Sequence, residues 1–168
     1  MQIFGIVGWK NSGKTTLVAA LMREFGARGV RVSTIKHAHH AFDLDRPGKD
    51  SFLHRAAGAQ EVMIASHSRW ALLHELRGAP EPSLSELLAH MSPVDLVLVE
   101  GFKGEAHAML EVRRSGIDGP SMAGAAPNVI AIATDVSAVP PGPSVFALDD
   151  VAGIADFIQN VCKLKSTI

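Results

Sequence analysis

The chain has 168 residues, of which 47% are hydrophobic and 20% are charged, and its formal net charge is −1. This composition excludes a disordered chain, and the near-neutral charge argues against a nucleic-acid or anionic-membrane partner. The length suits one domain over residues 1–168. The single cysteine, Cys162, excludes an internal disulfide, and the first apolar run is too short for a signal peptide or a spanning helix. We therefore expect a cytoplasmic protein.

Strand-like and helix-like segments alternate along the chain. The apolar run at residues 3–7 predicts a buried strand, and the helical spacing of Leu17, Leu21 and Phe25 predicts a helix after it. Further strands are predicted at residues 30–36, 61–66, 70–76, 95–101, 109–114 and 128–135, and further helices at 51–57, 80–91 and 149–162. Residues 115–127, rich in Gly, Ala, Ser and Pro, are expected to form a mobile loop. The alternation predicts an α/β fold of the P-loop NTPase type, with a mostly parallel sheet and helices on both faces.

A phosphate-binding loop is predicted near the N-terminus. Residues 8–15 read GWKNSGKT and match G-x-x-x-x-G-K-[ST] between a predicted strand and a predicted helix. Backbone N–H groups of such a loop converge on phosphate oxygens, the lysine reaches the β- and γ-phosphates, and the threonine hydroxyl can bind Mg²⁺. The alternative is a chance glycine-rich turn. The nucleotide-binding residues that the motif predicts are Gly8, Asn11, Ser12, Gly13, Lys14, Thr15 and Thr16.

A histidine-rich segment follows the second predicted strand. Three histidines within four residues are typical of a Zn²⁺ or Ni²⁺ site, but they can equally bind a polyanion or sense a γ-phosphate. A solvated loop is the third interpretation. We favour the polyanion or switch interpretation because charged residues continue beyond the histidines. The residues assigned to this loop are His37, His39, His40, Asp45 and Lys49, with Asp43 between them.

Two acids at strand ends complete the predicted site. Glu100 ends the apolar run at residues 95–101, at the carboxyl end where open α/β sheets bind ligands, so it is preferred over Asp95 as the second metal-binding residue beside Thr15. Asp135 ends the run at residues 128–135 and is assigned to the guanine edge, although the Asn-Lys pair that precedes such an aspartate in many GTPases is missing. For each acid, an exposed strand-end or turn residue is the alternative.

Several longer strings extend these motifs and together resemble one family. They are GWKNSGKTTL, IKHAHHAFDLDRPGKDS, RAAGAQEVMIAS, RWALL and DLVLVEGFK, and they cover most of residues 3–104. The chain resembles the MobB family of molybdopterin-guanine dinucleotide biosynthesis adapter proteins. The resemblance implies a homodimer that binds GTP, hydrolyses it weakly, and assists the nucleotidyltransferase MobA in making the molybdenum cofactor. Whether the chain itself binds molybdopterin is left open.

Two other functions compete with the adapter. A small-molecule phosphotransferase could use the same phosphate loop, and a metal-delivery GTPase is suggested by the histidine-rich segment. A transferase should release nucleoside diphosphate in a burst that depends on an acceptor, whereas an adapter should hydrolyse slowly whatever acceptor is offered. Because of this overlap, the sequence leaves open whether the chain is an enzyme beyond a weak GTPase.

Overall fold

The computed structural model describes residues 1–38 and 45–165, and the chain forms two compact units. The first unit comprises the described residues of Met1–His37 and Met91–Ile168, and the second those of Ala38–His90. The single domain expected over residues 1–168 stays a prediction.

A six-stranded parallel sheet forms the centre of the first unit. Its strands are β1 (Gln2–Val7), β2 (Val32–Lys36), β5 (Leu96–Glu100), β6 (Met109–Arg113), β7 (Val129–Thr134) and β8 (Ser144–Phe146). They lie side by side in the order β2-β5-β1-β6-β7-β8, and every neighbouring pair is parallel. The predicted α/β fold with a mostly parallel sheet is confirmed. Strand β8 was not predicted, because three half-exposed residues give no apolar period.

The helices of the first unit, α1 (Lys14–Ala27) and α4 (Val151–Val161), pack against each other on one face of the sheet. Their apolar stripes, including Leu21 and Ile158, are buried in the same core as the inward residues of β1 and β5. The opposite face carries a smaller core in which Val7, Met109 and Val129 pack against Met122. The segment at residues 115–127 therefore covers part of the sheet, although it contains neither helix nor strand.

The second unit contains α2 (Asp50–Ala56), the strands β3 (Glu61–Ala65) and β4 (Trp70–His74), and α3 (Leu84–Ala89). The two strands form an antiparallel hairpin, as the two predicted strands at this place suggest. Helix α3 begins with a capping box, because Ser83 and Glu86 each bind the other's backbone N–H. Among the residues with described positions, no helix has the length and apolar character needed to span a bilayer.

Candidate nucleotide-binding site

The carboxyl ends of β1, β5 and β2 meet at one edge of the sheet. Ile6 and Lys36 are both register partners of Glu100, so the ends of all three strands lie at the same level. The strand order reverses at β1, since β5 lies on one side of it and β6 on the other. Open α/β sheets bind ligands in the crevice at such a switch point. The topology therefore brings the phosphate loop and Glu100 together.

The phosphate loop joins β1 directly to α1. The first turn of α1 contains no acidic residue, and Gly13, at its N-cap, offers no side chain to the free N–H groups. Asn11 has a left-handed backbone (φ 64°), which turns successive N–H groups towards one side, and an anion is the natural partner for them. The hydroxyl of Ser12 is buried and, within residues 1–38 and 45–165, has no hydrogen-bond partner. Thr16 follows in the first turn of the helix.

Lys14 is held inside the loop. Its Nζ donates to the carbonyl oxygens of Gly8 (3.0 Å) and Trp9 (2.7 Å). Burial lowers the pKa of Lys14; Glu100 opposes this effect, and the neighbouring ammonium groups of Lys103 and Lys36 add to it. A phosphate group would give this ammonium a stronger, anionic partner than the two carbonyl groups.

Thr15 and Glu100 form the predicted metal-binding pair. The Thr15 hydroxyl donates to the Glu100 carboxylate at 3.1 Å to Oε1 and 3.2 Å to Oε2, across 85 residues of sequence. Glu100 is buried to 9% exposure at the end of β5. Hydroxyl and carboxylate oxygens are the ligands that Mg²⁺ prefers, so these two residues fit that metal. Asp95 lies at the other end of β5, where it binds Arg31 at 2.9 Å, and this ion pair lowers the pKa of Asp95.

The turn after Glu100 requires a glycine. Gly101 has φ +100°, and a Cβ at this position would lie 2.8 Å from the Cβ of His37. The next residue, Phe102, is also left-handed (φ 50°), and its ring stacks on the His37 imidazole with 4.7 Å between ring centroids. His37 in turn donates its backbone N–H to the Glu100 carbonyl at 2.8 Å. These contacts fix the chain on both sides of the Glu100 carboxylate.

Trp9 connects the phosphate loop to the segment at residues 115–127. Its indole Nε1 donates to the Pro120 carbonyl at 3.0 Å, and the Lys103 ammonium lies 4.9 Å from the ring centroid. Gly119 packs against the ring so closely that a Cβ there would come within 2.4 Å of it. Trp9, the residue after the first glycine of the phosphate loop, is therefore held in place by residues more than 90 positions away in sequence.

Asp135 lies immediately after β7, at the same edge of the sheet. Its carboxylate accepts hydrogen bonds from Ser115, 2.6 Å from the backbone N–H and 3.0 Å from the hydroxyl. The backbone N–H of Ser115 is the main cause that lowers the pKa of Asp135, so the side chain is held as a carboxylate. Each oxygen keeps a second lone pair that could accept from a guanine N–H.

The predicted histidine loop is divided between the two units. His37 belongs to the first unit, whereas Asp45 and Lys49 belong to the second, where the Asp45 carboxylate accepts from the Ser51 hydroxyl at 2.8 Å. His39, His40 and Asp43 lie outside the described residues. Among the residues that the structure does describe, no cluster of three or more His, Cys, Asp or Glu side chains could hold a metal ion.

Three site residues were not predicted from the sequence. Lys36 binds Glu100, Lys103 lies over the Trp9 ring, and Ser115 binds Asp135. Lys36 is the last residue of a predicted strand and Lys103 comes two residues after another, so a cation at a strand end beside a phosphate loop was a usable signal. Ser115 carried none, because serine is common in loops.

Comparison with known proteins identifies the family. The model of the family "MobB: Molybdopterin guanine dinucleotide synthesis protein B" matches residues 3–135. A molybdopterin-guanine dinucleotide biosynthesis adapter protein of Escherichia coli is 42% identical over 94% of this chain and 91% of its own. One from Haemophilus influenzae is 37% identical over 95% and 89%.

Solved structures agree with this match. A MobB protein homolog from Bacillus stearothermophilus superimposes with a TM-score of 0.74 at 28% identity, covering 97% of this chain and 99% of its own. Since the family model, the relatives and the fold all agree, the chain belongs to the MobB family of molybdopterin guanine dinucleotide synthesis proteins.

Proposed function

We propose that the chain is a GTP-binding adapter in the biosynthesis of the molybdopterin guanine dinucleotide cofactor. One observation carries the nucleotide site: the Thr15 hydroxyl and the Glu100 carboxylate meet beside a phosphate loop whose helix N-terminus is free of side-chain caps. The adapter role is supported by the names of the relatives, which are biosynthesis adapter proteins. The nucleotidyltransferase MobA is the partner that the family resemblance implies, and the cytoplasm is the compartment that the single unpaired cysteine favours.

Each residue has a distinct task in this proposal. The loop N–H groups and Lys14 bind the β- and γ-phosphates, and Thr15 with Glu100 holds Mg²⁺. Bound Mg²⁺ would neutralise charge on the phosphate oxygens. Asp135 accepts from the guanine edge and thereby favours GTP over ATP. A weak GTPase activity is part of the proposal, and release of the nucleotide to MobA is its biological purpose.

Calorimetry with GTP and ATP tests the nucleotide site. Lys14→Ala should abolish measurable GTP binding, because it removes the cation that faces the phosphates. Lys10→Ala is the matched control, since Lys10 is an exposed lysine of the same loop, and it should bind like the parent protein. If Lys14→Ala binds GTP as well as the parent does, the assignment of the loop is wrong.

Turnover tests the metal site and the adapter role. Glu100→Gln keeps the shape of the side chain and removes its charge, so hydrolysis should fall and its Mg²⁺ dependence should change while Mg²⁺-free GDP affinity moves little. Adding MobA and molybdopterin should alter GTP binding or turnover in the parent protein. An acceptor-dependent burst of GDP without MobA would favour the phosphotransferase instead.

A homodimer is the assembly that we propose. Met63, Trp70 and Leu72 project from the same face of the β3–β4 hairpin, and Met63 and Trp70 are 62% and 66% exposed. An isolated two-stranded hairpin is marginal in water, so a partner that covers this face would stabilise it. Sedimentation should show a dimer for the parent and a monomer for Trp70→Glu. A parent that sediments as a monomer at micromolar concentration would contradict the proposal.

A further inference from the structure

Lys36 lies at the predicted metal position. Its Nζ is 3.3 Å from Glu100 Oε1 and 3.4 Å from the Thr15 hydroxyl oxygen, which are the two groups that fit Mg²⁺. Lys36 is the last residue of β2 and the register partner of Glu100 on β5. Its ammonium therefore gives the metal-binding carboxylate a positive partner.

The two side chains of this ion pair differ in solvent exposure. The Glu100 side chain is 11% exposed, whereas that of Lys36 is 59% exposed. An exposed lysine holds such a pair weakly, because water competes for both charges and the long side chain loses rotamer freedom. A buried carboxylate without any cation would be costly. The site thus combines an acid that needs a cation with a cation that can leave.

We propose that Lys36 is an exchangeable counter-ion of the metal position. It neutralises Glu100 in the nucleotide-free protein, is displaced when a divalent cation binds to Thr15 and Glu100, and then contacts the terminal phosphate of the bound nucleotide. This inference rests on the proposed nucleotide site.

The exchange couples the metal to the nucleotide. A divalent cation and the Lys36 ammonium repel each other, so they compete for the Glu100 carboxylate. A terminal phosphate beside the metal offers Lys36 a new charge-assisted hydrogen bond. Lys36 therefore weakens metal binding when phosphate is absent. When a phosphate group accepts the Lys36 ammonium, this competition ends and the metal binds more tightly.

Manganese titration of the nucleotide-free protein tests the first half of this exchange. Electron paramagnetic resonance counts free Mn²⁺ directly and needs no catalytic activity. Lys36→Met keeps the length of the side chain and removes its charge, and it should bind Mn²⁺ about tenfold more tightly than the parent. Lys10→Met removes one charge from the phosphate loop without touching Glu100, and its Mn²⁺ affinity should stay within about twofold of the parent. Equal affinities for Lys36→Met and the parent would overturn the counter-ion role.

Nucleotide affinity tests the second half. With saturating Mg²⁺, the ratio of GTP affinity to GDP affinity should be about tenfold lower in Lys36→Met than in the parent, since the contact to the terminal phosphate is gone. Lys36→Arg retains the charge and should retain most of the preference. An unchanged preference in Lys36→Met would overturn the transfer to phosphate.

The two proposals fail in different ways. A parent protein that binds no nucleotide would refute the proposed function, while the Mn²⁺ titration would still decide whether Lys36 competes for Glu100. Circular dichroism melting of each variant excludes unfolding as the cause, and the exposed position of Lys36 makes a folded Lys36→Met variant the expected result.

Discussion

Removal of the buried carboxylate at Glu111 should release the segment that covers the second face of the sheet. Glu111 lies on β6 with no exposed surface, and its Oε2 accepts from the Ser121 hydroxyl (2.7 Å) and from the N–H groups of Met122 and Ala123 (3.0 Å each). Three donors of the segment thus depend on a single oxygen. Arg113 places a guanidinium nitrogen 3.8 Å from the other oxygen and partly balances the charge.

The cost can be estimated from these contacts. Hydrogen bonds to a charged group contribute about 1.5–3 kcal/mol each, but their sum is not additive because the segment can open to water. Glu111→Ala also leaves the Arg113 charge without its partner, and loss of one member of a buried pair costs about 3–5 kcal/mol. Glu111→Gln keeps one carbonyl oxygen for the three donors and should cost about 1–2 kcal/mol.

Urea unfolding in a Trp70→Phe background measures the effect, since Trp9 is then the only tryptophan and reports on the first unit. With a slope of about 2 kcal/mol per molar urea, the midpoint should fall by roughly 2 M for Glu111→Ala and by less than about 1 M for Glu111→Gln. Hydrogen exchange should accelerate at the amides of Met122 and Ala123 in both variants. Glu24→Gln, which breaks a partly exposed ion pair with Arg28, is the control and should cost less than about 1 kcal/mol.

A Glu111→Ala variant with the parental urea midpoint and parental hydrogen exchange at Met122 and Ala123 would contradict this role of Glu111. Such a result would mean that the apolar contacts of Met122 alone hold the segment. Faster hydrogen exchange at these amides with an unchanged urea midpoint would mean that the hydrogen bonds to Glu111 break in a local opening and do not contribute to the free energy of global unfolding.

Three further predictions concern the packing of Gly119 against the phosphate loop, the recognition of the nucleotide base by Asp135, and the buried thiol of Cys162. Gly119→Ala should weaken GTP binding, because its Cβ would collide with Trp9, and a shifted Trp9 emission should accompany the loss. Asp135→Asn should lower the ratio of GTP to ATP affinity by about ten- to a hundredfold, as one charge-assisted pair contributes roughly 1.5–3 kcal/mol, and calorimetry with both nucleotides checks this. Burial raises the pKa of Cys162 to about 11, so at pH 8 a thiol reagent should label it only after urea is added.

Periodicity and motif spacing predicted most of the elements around the site. Continuous apolar runs at residues 95–101 and 128–135 correctly indicated strands buried on both faces, because such strands lack polar alternation. The choice of Glu100 over Asp95 followed from the rule for carboxyl ends, and the hydrogen bond from Thr15 agrees with it. These features depend on local sequence and on one general rule of topology.

The remaining contacts depend on strand order, which local sequence does not determine. Lys36 meets Glu100 because β5, formed some 60 residues later, inserts between β1 and β2. Trp9 meets Pro120 across 111 residues through a segment without regular structure. A composition of small residues and prolines suggested mobility there, but it could not reveal that a glutamate buried in β6 binds the segment's backbone. An acid inside an apolar strand, such as Glu111 in β6, is the sequence signal for such a contact, because a buried carboxylate requires hydrogen-bond donors.

The turn after β5 allows the side chains of residues 100–103 to make three separate contacts. Glu100 binds Thr15, Phe102 stacks on His37, and Lys103 reaches the face of Trp9. Consecutive residues of a strand would alternate between two faces and could not reach these partners, so the chain adopts left-handed φ angles at Gly101 and Phe102. A left-handed backbone at a residue with a side chain costs about 1–3 kcal/mol, and it persists where the surroundings determine it. The ring contact with His37 is one such surrounding, and it connects the start of the histidine-rich segment to the position of the Glu100 carboxylate.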